Sequence, residues 1–233
     1  MIKAVIFDFD NTLYNFDSAH EHAIQKAAAY AQEQLAIPAE VFLTAYEESI
    51  RELEERTGYI CASTHNRFLR MQLILEKFNK PLFPHVRNLY HSYWDTLMEQ
   101  SILEPCVTEI LTYLTEEGYY IGLGTNMTAY MQFEKLERLG ISHFFHGIVT
   151  SEEIGVDKPE TKFFLRCAEK AGVLPEECLF VGDSIKYDIE GAGKSGMKAV
   201  WYCPIVNPER KELPGIPAIY HMSELKDLIK KLD

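Results

Sequence analysis

After Pro105 the chain repeats one pattern: a short apolar run, a turn, a stretch with helical periodicity, then another apolar run. The runs fall at 119–124, 147–149, 178–181 and 199–202, and helical patterns lie near 106–117, 128–138, past Pro159 and past Ser184. Strands that are apolar throughout, rather than alternating, belong to a parallel sheet buried on both faces, and the intervening helices supply its crossovers. Ala4-Val5-Ile6-Phe7 has the same character and is assigned to that sheet. Residues 1–14 and 105–233 are therefore expected to form one α/β domain with helices on both faces.

Residues 15–104 follow a different grammar. From Ser18 to about Gln100 the pattern predicts about four helices and no strand, with breaks at Pro38, Gly58 and the 81–84 stretch. Ser18-Ala19-His20-Glu21 has the form of a capping box and is the expected start of the first helix. Pro38 suits the start of a second helix, and Gly58 suits its end, where a left-handed residue is needed. The insert leaves the sheet at Asn15–Ser18 and returns at residues 101–105. Both crossings are natural hinges, about which an all-helical domain is expected to close over the sheet edge.

Ligands of open parallel sheets sit outside the carboxyl ends of the strands. That edge collects Asp8 and Asp10 after the first strand, Thr125 and Asn126 after 119–124, and Asp183 after 178–181, with Asp188 five residues on. Lys158 lies just ahead of Pro159, on the loop feeding the next helix. Two unit charges about 4 Å apart repel by roughly 4 kcal/mol at an effective dielectric of 20, so converging carboxylates imply a divalent cation. Taken singly, Lys158 reads as an exposed loop lysine and Thr125 as a strand-end hydroxyl; their order is what carries information.

In that order, Asp8-x-Asp10-x-Thr12, the strand ending at Thr125, Lys158-Pro159, and Gly182-Asp183-Ser184 with Asp188 resemble the four signature elements of the haloacid dehalogenase superfamily of hydrolases. The resemblance spans most of residues 1–14 and 105–210. It implies a Rossmann-like parallel sheet, and the helical insert resembles the C1 cap of that superfamily. It further implies Asp8 as nucleophile, forming an aspartyl-phosphate, and Asp10 as acid and base. Thr125, Asn126 and Lys158 would bind the phosphoryl group and its surroundings. Magnesium would be held by Asp8, the backbone carbonyl of Asp10, Asp183 and Asp188, the last directly or through water. Asn11 stands where glycine is frequent, a tolerable exchange because asparagine accepts unusual backbone angles.

Gly124-Thr125-Asn126, Glu134–Gly140 and Ser151–Gly155 are similar to the branch of pyrimidine 5'-nucleotidases and N-acylneuraminate-9-phosphatases. The implied activity is hydrolysis of a small organic phosphomonoester, a nucleoside monophosphate or a sugar phosphate. The presence of Asp10 disfavours carbon-halogen and phosphonate chemistry, whose enzymes resemble this pattern without it. A phosphomutase of the same superfamily is the alternative, against which Thr12 leans, and a non-catalytic phosphate-binding regulator is a third.

Composition limits the partners. With 35 Asp and Glu against 23 Lys and Arg the net charge is −12, the wrong sign for a nucleic-acid polymer. A small phosphorylated metabolite is the expected partner, with the chain acting as a monomer or homodimer. Five cysteines without a C-x-x-C pair predict neither a disulfide framework nor a zinc site, and point to a reducing cytoplasm. No apolar run reaches membrane-span length. Among insert residues, aromatics such as Tyr46, Tyr93 and Trp94 are expected to pack. The histidines are expected at the surface or in the core, and Arg67 and Arg70 are equally compatible with substrate contact and with an exposed helical face.

Overall fold

The computed structural model describes residues 1–59, 61–204 and 215–232; position 60 of the expected insert, and 205–214 and 233 of the expected sheet domain, lie outside the described residues. Six strands form one parallel sheet: β1 (Ala4–Phe7), β2 (Tyr120–Thr125), β3 (Gly147–Thr150), β4 (Cys178–Gly182), β5 (Lys198–Tyr202) and β6 (Ala218–Ile219), in the order β3-β2-β1-β4-β5-β6. Uniform apolarity is explained by burial on two sides. Val5, Phe7, Leu179 and Val181 pack in one core with Ile110 and Leu111 of α6 (Val107–Glu116) and Ile229 of α11 (Leu225–Leu232). Ala4, Ile6, Cys178 and Phe180 pack in the other, against Phe163, Phe164 and Cys167 of α9 (Thr161–Ala171). The period of two thus sends both side-chain sets into apolar surroundings.

Register decides where the sheet ends. Phe7 pairs with Leu123 on one side and Val181 on the other, so β1, β2 and β4 run out level with one another. Asp8, one residue beyond this level, and Thr125 and Asp183, two residues beyond it, therefore emerge along one rim. Among the described residues, three further α-helices belong to this part: α7 (Ala129–Arg138), α8 (Ser151–Ile154) and α10 (Glu190–Lys194). The helix expected after Ser184 begins as a wide π-type turn over Ile185–Ile189 before narrowing to α10. The sequence reading missed β6 and α11; β6 is only two residues long, too short for any periodicity to show.

Among its described residues the insert's regular elements are helices: α1 (Phe16–Leu35), α2 (Ala39–Thr57), α3 (Ala62–His65), α4 (Arg67–Lys77) and α5 (His85–Gln100). Ala19, Ala23, Ala27 and Ala31 recur every fourth residue along α1 and are fully buried in a separate core with Leu89, Tyr93 and Leu97 of α5. Small side chains on that stripe let the two helices approach closely. Pro38 and Gly58 bound α2 as expected, Gly58 with φ of 80°. The capping box at Ser18 is corrected: α1 starts two residues earlier, after Asn15. Asn11 Oδ1 accepts the first-turn amide of Asp17, and Asn15 Oδ1 instead accepts from Ile102 N across the crossing. Tyr14 also bridges Leu103, so the outgoing and returning segments run side by side.

A second correction concerns α4. Arg67 and Arg70 are 8% and 3% exposed, so neither lies on a solvated face. Arg70 donates to Ser49 Oγ and Tyr46 O at 2.8 and 2.6 Å and stacks 3.6 Å from the Tyr46 ring centroid. Burial lowers its guanidinium to about 10.

Candidate active site

Asp8 leaves β1 with its amide still donating to Val181 O at 2.8 Å, which ties the position of its carboxylate to the sheet. Lys158 Nζ lies 2.5 Å from Asp8 Oδ1 and 2.7 Å from Asp188 Oδ1, and also donates to Gly124 O at 3.2 Å. One ammonium so gathers groups from the ends of β1 and β2 and from the turn that follows β4. Burial works against its charge, but Asp188 and Asp8 hold it well above the ordinary lysine value. Asp188 Oδ2 accepts from Ser184 N at 2.9 Å. The approach is close enough that a Cβ on Gly182 would stand 2.4 Å from Asp188 Oδ2, which explains the glycine before Asp183.

Thr12 Oγ1 donates toward Asp8 Oδ2 at 3.3 Å and lies 3.5 Å from Asp183 Oδ1. Asn11, with φ of 62°, makes the left-handed turn that brings Thr12 back, as its side chain permits. Carboxylate oxygens of Asp8, Asp183 and Asp188 lie within 4.8 Å of one another. Burial and the charge of Asp188 push the Asp183 carboxyl up to about 6. Asp8 is likewise raised, by burial first and then by Asp188 and Asp183, against the pull of Lys158. Three hard oxygen donors that repel one another this closely are a donor set suited to magnesium, since a divalent cation between them removes the repulsion.

Asp10 sits beside this group with a separate support. Tyr14 OH and Lys135 Nζ both donate to its Oδ1, at 2.6 and 2.7 Å. Burial would raise the Asp10 carboxyl, but the Lys135 ammonium and the Tyr14 hydroxyl bring it below the usual value. Neither was named as a site residue from the sequence, where Lys135 figured only within the Glu134–Gly140 resemblance. A signal existed: Met131, Gln132, Lys135 and Leu136 form the buried face of α7, and a lysine on an apolar face demands a partner.

Gln132 uses the same face to reach the rim, its Nε2 donating to Thr125 Oγ1 at 2.5 Å. Asn126 is committed to the Lys158 backbone, accepting from Lys158 N at 2.8 Å and donating to Lys158 O at 3.2 Å. The structure thus brings Asp8, Asp183, Asp188 and Lys158 into direct association. Asp10, Thr125 and Asn126 stand on the wall of the same cleft, of about 1020 Å³. Its opposite wall comes from the helical insert, including Ile50, Glu54, Tyr59 and Arg67. His65, from that side, joins the sheet side through Nε2 at 2.7 Å from Asp157 Oδ2.

A rim of this kind, under a helical insert placed after the first strand, defines a class. Residues 2–196 match the pattern of the haloacid dehalogenase-like hydrolases, and the chain belongs to that family. It is an enzyme, a phosphoric monoester hydrolase. Its relatives include a glyceraldehyde 3-phosphate phosphatase of Methanopyrus kandleri, 39% identical over 86% of this chain and 83% of that one. A ribulose-1,5-bisphosphate 5-phosphatase of Halopiger xanaduensis is 34% identical over 88% and 86%. A pyrimidine 5'-nucleotidase of Streptococcus pneumoniae is 24% identical over 98% and 95%. Among solved structures, a 2-haloacid dehalogenase from Pseudomonas syringae superposes with a TM-score of 0.80 at 24% identity over the whole of both chains, a likeness of fold. No helix among the described residues is long and apolar enough to cross a membrane.

Proposed function

We propose that the chain is a magnesium-dependent phosphatase of small sugar phosphates, working in the cytoplasm through a phosphoenzyme on Asp8. The observation that carries this reading is the Lys158 bridge between Asp8 and Asp188, with Asp183 inside the same cluster. In this reading residues 1–14 and 105–233 hold the chemistry and residues 15–104 act as a cap. Sugar phosphates are favoured over nucleotides because the relatives of 39% and 34% identity are named for a triose phosphate and a sugar bisphosphate. Free cysteines throughout support the cytoplasmic assignment.

Asp8 attacks phosphorus, the bond from phosphorus to the ester oxygen breaks, and Asp10 gives that oxygen its proton. Water then attacks the aspartyl-phosphate, returns a proton to Asp10 and releases inorganic phosphate. Lys158 and Thr125 supply a fixed cation and a hydroxyl to the equatorial oxygens. Magnesium would be held by Asp8, the Asp10 carbonyl and Asp183, and when bound it neutralises charge on the transferring group. Both Asp188 oxygens are already engaged by Lys158 and Ser184 N, which favours a supporting place for Asp188 over direct ligation. Asn126 acts in the same way, holding Lys158 rather than substrate.

The test is a panel of triose, pentose and bisphosphorylated sugars beside nucleoside monophosphates, each with magnesium and with chelator. Phosphate release from a sugar phosphate that stops on chelation and returns with magnesium is expected. Turnover indifferent to chelator would overturn the metal assignment, and isomerisation without phosphate release would mark a mutase.

A further inference from the structure

Lys135 is the most enclosed charged side chain of the site. It has no exposure to solvent, and its one carboxylate partner among the described residues is Asp10. Four aromatic rings surround the ammonium at 5.4–5.6 Å: Phe9, Tyr14, Phe16 and Trp94. Phe9 and Tyr14 come from the segment that carries Asp10, whereas Phe16 and Trp94 belong to the first and last helices of the insert. Ring faces are negative and favour a cation over them, so the cage fixes Nζ in place. A desolvated ammonium with one carboxylate partner among the described residues cannot turn away from it without leaving a bare buried charge.

The consequence falls on Asp10. Two donors, Lys135 Nζ and Tyr14 OH, share its Oδ1, which sets the plane of the carboxyl group. Asp10 lines the cleft with 26% of its side-chain surface exposed, and with Oδ1 taken by two donors Oδ2 is the oxygen left for the departing group. We infer that Lys135 is a positioning residue for proton delivery, aiming Asp10 Oδ2 at the leaving oxygen, and that the insert completes its aromatic cage. This rests on the phosphatase reading and adds to it a residue that touches neither phosphate nor metal. Because half of the cage comes from the insert, the aim of Asp10 is coupled to the insert's seating on the sheet domain.

A proton matters only when the leaving group needs one. A sugar phosphate departs as an alkoxide, whereas p-nitrophenyl phosphate departs as a phenolate that is stable unprotonated. The value of kcat/KM reports steps up to the first irreversible one, here phosphorylation of Asp8, so it isolates delivery of the proton from its later recapture. For Lys135→Met, kcat/KM on the sugar phosphate should fall by about 10²-fold while that on p-nitrophenyl phosphate falls less than about threefold, the range of a lost general acid. Tyr14→Phe, which removes the second donor, should show the same split in smaller measure, and decides the matter if Lys135→Met fails to fold. Equal losses on both substrates, or no loss on either, would overturn the inference while leaving the phosphatase reading intact. A wild-type protein that released phosphate from neither substrate would overturn both.

Discussion

The sheet domain and the helical insert both bury cations, and they stabilise them by opposite means. At the rim, Lys158 is held by two carboxylates, of which Asp8 is itself raised, by burial first and then by its acidic neighbours. In the insert, Arg70 has no carboxylate partner among the described residues; carbonyl, hydroxyl and the Tyr46 ring surround it instead. Pairing with carboxylates costs stability, but it keeps reactive oxygens fixed and charged where phosphate must be received. Aromatic and carbonyl surroundings hold a cation without a counter-ion. In the proposed reading, the difference separates a region that does the chemistry from one that shapes what reaches it.

Substitutions can break this contrast, and the nucleophile should give the greatest loss. Asp8→Asn should fold normally and lose at least about 10⁴-fold in kcat, the scale of removing a covalent nucleophile; a variant with near-normal turnover removes Asp8 from the mechanism. Lys158→Met should lower kcat by about 10²- to 10³-fold and cost about 3–5 kcal/mol of stability, because it strands Asp8 and Asp188 as buried like charges. Denaturant melts read the second effect, and added magnesium should recover part of it. Arg70→Met should cost only about 1–2 kcal/mol by the same melts, since removing the cation leaves no uncompensated charge behind. Losses of equal size at Lys158 and Arg70 would erase the distinction between the regions.

The smallest effect tests the insert alone. His20 bonds to Tyr93 OH at 2.7 Å, and burial, with Arg67 and Arg70 nearby, lowers its imidazole from 6.5 to about 4. It stays neutral in the fold while the unfolded chain takes up a proton near pH 6.5. The stability tied to the neutral ring is therefore whole above pH 6.5 and is lost progressively as pH falls toward 4. Thermal melts over that window should flatten in His20→Gln; an unchanged slope assigns the acid sensitivity to other groups.

Strand ends and their acidic residues were legible because a strand's character and its terminus are local properties. Pro38 and Gly58 announced α2 for the same reason, through single-residue backbone preferences. The Ser18 box misled because its residues are equally at home inside a first turn; Asn11 accepts the Asp17 amide just ahead of that box, and Asn15 is held by Ile102, 87 residues away. Arg67 and Arg70 stayed open between substrate contact and an exposed face because burial of a charge depends on what packs against it. The Asn126 clamp on Lys158 joins residues 32 apart in the chain and leaves no periodic trace.

By itself the order of residues determined that short apolar strands would lie in a parallel sheet, and that aspartates, a threonine and a lysine would stand near their ends. Level registration of β1, β2 and β4 turned those separate ends into one rim, and the packing of α7 and the insert gave Lys135 to Asp10. Periodicity and backbone preference act within a few residues, so they can be read in one dimension. Charge pairing and desolvation act between surfaces that only folding brings together.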